Sequence, residues 1–541
     1  MNLFSKILLI IVSINFLGAC EKPKTNFETG IEQQVLHIAN GDEPRELDPQ
    51  LSTGSVESNI HMALYEGLVS KHPKTLQVQS ALAKSWSVSD DGLVYTFSLR
   101  DDARWSNGDP ITADQIVWSW HRSLLPELTS EWAYMKFYIK NAEAFYNGDI
   151  SDFSKVGVRA LDEHTLEVTL NNRTEFFLQL LDHTSYYPVH PPTILAHGEM
   201  GQPISQWTRP ENWVGNGPFS LNTWAINEEI SVVKNPHYWD AENVRLNGIH
   251  YYPIEDKQSE VRAFRSGQVH LTYTPQLAIE KVAYYQKEEP ESLRITNTYA
   301  SYYYELNVTK SPLDDKRVRK ALALAIDREL ITERVTKAGE RPAYSVVPGD
   351  PEGYQPTTSY QYNVEKARAL LADAGFPGGE GFPAVELLYN TQDNHRKVAL
   401  AIQQMLAENL GIQVTLTNQE WKVYLNSKRN LEHDIARAGW IADYLDPSNF
   451  FEIFSSFSGN NDTGWKHEEY DALIQALKET SDEAERFMLF DKLNAILNDE
   501  MPIIPVYLYS DVNLVAPEVK GWYDNVMHYH PYNRVYLEAS K

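Results

Sequence analysis

One cysteine in 541 residues, Cys20, is what most limits how this chain can fold. It ends an apolar N-terminal run, and nothing after it can form a disulfide. Stability must then come from buried apolar surface alone. The chain is too long for a single hydrophobic core, so two or three domains are expected. Hydrophobic residues at 42% and charged residues at 23% are ordinary for a globular protein and suffice for such cores.

The N-terminus reads as a processing signal. Lys6 gives a positive start, and Ile7 to Phe16 is an apolar stretch too short to span a bilayer comfortably. Leu17-Gly18-Ala19-Cys20, followed by Glu21, resembles a bacterial lipoprotein signal. On that reading residues 1–19 are the signal peptide, Cys20 is lipidated, and residues 20–34 are a flexible polar linker. An ordinary signal peptide cleaved near Ala19 is the alternative, and either one exports the chain. No later segment is apolar enough to cross a membrane. The net charge of −26 opposes nucleic-acid binding, because nothing would neutralise phosphates. Aromatics reach 12%, with 31 Tyr and 13 Trp, which suits a binding cleft or large cores.

Patterning gives a mixed α and β chain. Val35 to Ala39 is a buried strand, and Asp91-Gly92 between alternating runs marks a hairpin. Thr112 and Gln115 form a capping box ahead of a helix bearing Ile116, Val117 and Trp120. Strand-like runs fall in 156–170, 230–233 and 249–253. Asp315 caps a helix with Val318, Ala321, Leu322 and Ala325 on one face. After residue 300 helices (364–374, 397–410, 468–478, 483–497) alternate with strands (386–388, 412–416, 503–508), as in an α/β domain.

Enzyme signatures are absent: no HExxH, GxSxG, Walker loop or GxGxxG follows a strand, and no His pair sits beside carboxylates at metal-ligand spacing. Neither a metal nor a cofactor is expected. Paired carboxylates at 90–91, 101–102 and 314–315 lie in turns or caps. An exported peptidase or glycosidase is the alternative from a different class.

Between Asp434 and Pro447 the chain reads Asp-Ile-Ala-Arg-Ala-Gly-Trp-Ile-Ala-Asp-Tyr-Leu-Asp-Pro. Arg437 and Asp443 stand among small and apolar residues, where an unpaired charge is costly. Arg437 either pairs internally with Asp434 or Asp443, or both charges wait for a charged ligand. A peptide, with its ammonium and carboxylate, would suit the second case. On a straight strand the two would share a face about 20 Å apart at ~3.3 Å per residue, too far to pair.

Several motifs converge on one family. These are Glu57-Ser58-Asn59 with Tyr65-Glu66-Gly67-Leu68, Ala83 to Trp86 leading to Tyr95 to Arg100, and Trp105 to Gly108 with Ser119-Trp120. Asn216 to Phe219, Tyr238-Trp239, Arg265 to Gly267, Tyr302 to Asn307, Asp315 to Arg319 and Ala325 to Arg328 follow. With the 434–447 stretch, the chain resembles the periplasmic oligopeptide-binding proteins, the peptide/nickel class of ABC-transporter solute-binding proteins (family 5), over nearly its whole mature length.

That resemblance implies an α/β, three-lobed fold of the type II periplasmic-binding-protein kind. Two α/β lobes hinge around a ligand cleft, and an extra subdomain is inserted. Lobe I would comprise 35–65, 191–299 and 512–541, lobe II 66–190, and lobe III 300–511, with crossovers near 299 and 511. The implied activity is non-enzymatic. A monomer captures short peptides, about two to five residues long, through main-chain strand addition and their termini. It delivers them to a membrane permease with ATPase subunits. A murein-tripeptide binder is the rival on the same scaffold; nickel, haem or sugar ligands are disfavoured because they need no ammonium partner.

Asp443 matches the family's amine-binding aspartate. Arg437 and His395 are the implied carboxylate receptors, with Lys428 and Arg429 for longer peptides; a helix-cap role is the alternative for His395. Thr53, Ser55, Trp132, Tyr273, Thr274, Tyr303, Glu305, Trp421, Gly439 and Trp440 would line the cleft, core packing being the alternative for the tryptophans. Strand alternation puts Tyr302 and Tyr304 on the face opposite Tyr303 and Glu305. The chain departs from the pattern at Thr53, Ser55, Trp132 and Thr336 (beside Lys337), and Ala300 and Ile441 occupy positions of a disulfide found in enterobacterial members. Preferred peptide length is where these departures bear.

Overall fold

The computed structural model describes residues 23–539 apart from 274–276, 278, 350–352, 359 and 481. Cys20, the preceding signal-like run and Thr274 lie outside the described residues. Three principal sheets each carry a core of their own.

The first is five-stranded, in the order Leu271–Thr272, Val35–Ala39, Gly248–Tyr252, Glu229–Lys234 and Phe219–Ala225. Its first three strands are parallel and the last two antiparallel. Leu36, Ile38, Ile249 and Tyr251 pack there with Tyr532, Val535 and Leu537 from the C-terminal tail. The second sheet is four-stranded and antiparallel, built from Ala83–Val88, Val94–Leu99, Thr165–Thr169 and Val158–Asp162. Its first hairpin turns at Asp91-Gly92, where Gly92 takes a positive φ of 71°. Phe97 and Leu99 on its inner face meet the helix Ala113–Ser123. That helix opens with the Thr112/Gln115 capping box and buries Ile116 and Trp120 completely.

The third sheet is six-stranded and mixed: Arg341–Pro342, Ile503–Leu514, Leu293–Leu306, Ile435–Ile441, Val385–Asn390 and Val414–Gln419. Cores form on both of its faces. Helices Lys316–Leu324 and Asp393–Leu410 contribute to one, and Glu468–Leu477 and Glu483–Glu500 to the other. A central strand buried on both faces carries apolar or satisfied residues throughout, and the run from Tyr299 to Leu306 is buried at every position.

The long strands Leu293–Leu306 and Ile503–Leu514 join the first body to the third. Near Leu293 they attach to the first body: Ala516 N–H donates to the His270 carbonyl, and Leu514 N–H to the Thr272 hydroxyl. Farther along they form the centre of the six-stranded sheet. Their ladder breaks between Asn297 and Ser301, where Thr298 to Ala300 face a single residue, Tyr509. Such a bulge bends a strand and re-aims its side chains.

Two expectations require correction. Residues 20–34 are not a plain flexible linker, because Asn26–Gln33 is a helix with Thr25 as N-cap and a reciprocal bond from Glu28. Phe27 stacks on His270 at 4.9 Å and Gln34 Nε2 donates to the Leu537 carbonyl at 2.7 Å, docking the helix on the first body. The helix follows from the capping box Thr25-x-x-Glu28, a local signal that the polarity of the segment obscures. Secondly, Tyr303 and Glu305 do not line a cleft. Both are buried, Tyr303 against Phe454 and Glu305 against Lys428, because helices cover that face of the strand as well.

Thr25→Ala should loosen the docked helix, raising amide exchange across 26–33 about fivefold, equivalent to about 1 kcal/mol. Exchange in the six-stranded sheet should be unchanged. Hydrogen-exchange mass spectrometry checks both.

Candidate functional site

Two cavities flank the segment Trp440 to Asp443 and divide the two charges between them. The first, about 340 Å³, is walled by Arg437, His395 and Gln392 from the third body, by Ser55 and Tyr273 from the first, and by Val526 to His528 from the C-terminal tail. The bulge residues Thr298 to Ala300 form its back. The second, about 230 Å³, lies between Tyr134 and Tyr138 of the second body and Trp440, Asp443, Asn449 and Glu452 of the third.

Arg437 comes from strand Ile435–Ile441, opposite Tyr304. Its guanidinium lies 4.7 Å from the Tyr302 ring, donates to the Tyr509 hydroxyl, and reaches Asn390 Oδ1 at 3.5 Å. Nε has no partner and, among the described residues, no carboxylate lies within ion-pair distance. Neither internal pairing considered for it occurs: Asp434 binds Lys310 at 3.3 Å and the Glu386 N–H at 2.9 Å, while Asp443 faces the other cavity. A half-buried guanidinium held only by neutral groups is set up to receive an anion.

His395 sits in the first turn of helix Asp393–Leu410, buried, with Nδ1 3.4 Å from the Tyr302 hydroxyl. Burial, then the Arg437 charge, pushes its pKa down to about 3, so it is a neutral hydrogen-bonding partner in the empty site. Gly439 lets these groups close up. A Cβ there would meet the Tyr509 hydroxyl at 2.8 Å and Arg437 Nη2 at 3.3 Å.

Asp443 lies in the loop after the strand rather than on the strand itself. Ala442 N–H donates to the Tyr299 carbonyl before it. After it, Tyr444 stacks on Phe176 at 4.0 Å, and Leu445 N–H donates to Gln179 Oε1 at 3.0 Å. The Tyr134 hydroxyl donates to Asp443 Oδ2 at 3.3 Å. Trp440 Nε1 donates to Asn449 Oδ1 at 2.6 Å, leaving the Asn449 amide to face Asp443. Burial raises the Asp443 pKa to about 6, with Tyr134 and Asn449 acting the other way. No cationic side chain pairs with it among the described residues.

The remaining implied residues divide. Ser55 and Tyr273 line the Arg437 cavity, Tyr273 donating to the His528 carbonyl at 3.3 Å. Lys428 does not face a ligand: it is buried between Glu305 at 2.8 Å and Asp462 at 3.3 Å. Arg429 and Trp421 are exposed on helix Trp421–Arg429, where Trp421 stacks on Tyr424 at 5.7 Å. Thr53 is exposed, and Trp132 Nε1 is occupied by the Ser52 carbonyl at 2.8 Å. Thr336 is fully buried inside its own helix, and Ala300 and Ile441 are direct register partners. Sequence reasoning missed Tyr134, Asn449, Tyr509, Asp511 and His528. Of these only Asn449, six residues beyond Asp443, had a local cue.

The backbone around Arg437 is also open. Strand Ile435–Ile441 pairs along one edge with Leu293–Leu306. Along the other, Val385–Asn390 meets it only at Ile435 and Ala436. The Arg437 carbonyl accepts from the Tyr424 hydroxyl, and from Ala438 to Ile441 that edge has no partner strand among the described residues.

Comparison with known proteins decides the family. The model of bacterial extracellular solute-binding proteins, family 5 Middle, matches residues 77–462. The chain belongs to this family. It is 37% identical over 505 residues to the periplasmic oligopeptide-binding protein OppA of Salmonella typhimurium, covering 91% of this chain and 90% of that protein. It is 34% identical to the periplasmic murein peptide-binding protein MppA of Escherichia coli, covering 95% and 94%. The crystal structure of Haemophilus influenzae OppA in complex with RPPGFSPFR superposes with a TM-score of 0.78 at 34% identity, covering 94% of this chain and 99% of that one. The fold is that of the type II periplasmic binding proteins.

Two outcomes follow from this geometry. Gly439→Ala should push the Tyr509 hydroxyl from Arg437 and weaken ligand-carboxylate binding several-fold, measurable by calorimetry on a variant that melts normally. Asp443 carries a raised pKa in the fold against an ordinary one when unfolded, so its ionised form costs stability above about pH 6 and nothing below about pH 4. Asp443→Asn should therefore raise the melting temperature of the empty protein at pH 7–8 and leave it unchanged near pH 4.

Proposed function

We propose that this chain is the substrate-binding component of an oligopeptide ABC importer. It captures short peptides, of about two to five residues, outside the cytoplasmic membrane. The observation that carries this is the division of two unpaired charges, a carboxylate in one cavity and a guanidinium in the next, along a strand edge with no partner. A peptide supplies what each lacks: an ammonium for Asp443, a carboxylate for Arg437 with His395, and main-chain groups for the open edge at 438–441. Backbone bonding reads no side chains, so broad sequence tolerance follows. Specificity then rests on the termini and on peptide length.

The lining of both cavities by more than one body makes the ligand a bridge. A ligand favours the closed arrangement only through its better affinity for it, and both charges are solvated more cheaply when the bodies part. Closure would be read by a membrane permease with its ATPase subunits. The chain would act as a monomer, held to the membrane through lipidated Cys20. A murein tripeptide is the second candidate ligand, favoured by the 34% identity to MppA over nearly the whole length of both proteins. That ligand keeps the free amine but distributes its carboxylates differently.

Asp443→Ala should weaken peptide binding by about 2–5 kcal/mol, over about thirtyfold, because the ligand ammonium loses its partner in a closed site. Acetylating the peptide N-terminus should do the same to the wild-type protein. Calorimetry with tri- to pentapeptides and murein tripeptide measures both. Unchanged affinity in either experiment removes the ammonium assignment, and a murein tripeptide far tighter than every other peptide selects the second candidate.

A further inference from the structure

The Arg437 cavity holds a second charged group that carboxylate binding does not use. Asp511 lies two residues beyond Tyr509 on strand Ile503–Leu514, and both line the cavity. Alternate residues share a face, which places Asp511 about 7 Å along the strand from the residue whose hydroxyl holds Arg437. Asp511 is nine-tenths buried, and its Oδ2 lies 2.8 Å from His528 Nδ1. His528 comes from the C-terminal tail, where it holds the uncommon left-handed backbone with φ 54°. Two further polar atoms at this wall, His528 Nε2 and Thr298 Oγ1, are buried without a protein partner. The remaining lining there is apolar or aromatic: Tyr299, Ala300, Ile441, Val526 and Met527.

We propose that Asp511 is a specificity-determining residue that recognises a cationic side chain on the C-terminal residue of the peptide, and that His528 is the positioning residue that holds it. The inference rests on the peptide-binding reading above. With the terminal carboxylate on Arg437, the last side chain projects along the same wall. The four-carbon stem of a lysine, or the comparable stem of an arginine, spans a gap of the size separating Tyr509 from Asp511. Its apolar stem runs over Ile441 and Met527 while its charged head reaches the carboxylate. Donation from the imidazole Nδ1–H to Oδ2 leaves the other carboxylate oxygen of Asp511 to accept from the ligand. Thr298 Oγ1 supplies an additional acceptor in the bulge. One cavity would then read a carboxylate and a cation together, the first from the third body and the second from the crossover strand and tail.

The test compares tri- and tetrapeptides identical except at the C-terminus, which carries lysine, acetyl-lysine or norleucine. Calorimetry on the full chain should show lysine favoured over norleucine by about tenfold, with acetyl-lysine near norleucine, as for a charge-assisted bond at a partly desolvated site. Asp511→Asn keeps the size and the contact with His528, and should bring the lysine-to-norleucine ratio to about one. Equal affinity for lysine and norleucine in the wild-type protein overturns the inference, with no variant needed. A preference that survives in Asp511→Asn also overturns it. Failure of every peptide to bind would instead sink the peptide-binding reading itself.

Discussion

Everything in this molecule hangs on the pairing of two long antiparallel strands, Leu293–Leu306 and Ile503–Leu514. They are the middle of the six-stranded sheet at one end and the attachment to the first body at the other. Their ladder shifts register twice, at Thr298 to Ala300 and again between Tyr302 and Tyr303, so its irregularities are gathered in that short interval. The same interval forms the back of the Arg437 cavity. On the proposed reading, hinge and ligand wall would be one piece of backbone.

On the same reading, the charges in the two cavities would bias such a hinge. A guanidinium held by tyrosines and an amide, and a carboxylate held by a phenol and an amide, are each tolerated rather than stabilised in the empty protein. Closing the bodies without a ligand would strip water from both and leave them without counter-charges. Closing them around the proposed peptide would supply a partner to each. By contrast, Lys428 is neutralised by Glu305 and Asp462 within one body. Its charge is met inside the protein and needs no ligand.

Much of this was legible in the sequence. Local signals with a direct mechanism held: the Asp91-Gly92 hairpin, the Thr112/Gln115 box, the Asp315 cap and the helix face of Val318, Ala321, Leu322 and Ala325. The Asp434 to Pro447 stretch announced itself because charged residues among alanines and glycine demand an explanation. What failed were inferences about which face of a strand looks outward. Alternation separates the faces at Tyr302 to Glu305 but says nothing about which of them is covered, and here both are. Asp511 and His528 gave no cue, since tail and strand meet only through tertiary packing.

The docked helix Asn26–Gln33 has a mechanical consequence. If Cys20 carries the membrane anchor, only residues 21–24 separate it from the Thr25 cap, and five residue steps extend at most about 18 Å. Such a short leash keeps the first body grazing the bilayer surface and restricts how far it can swing. The search for a transporter in the same membrane then becomes largely two-dimensional, with the cleft presented in a narrow range of orientations. A long flexible tether would give a wider reach but lose that alignment.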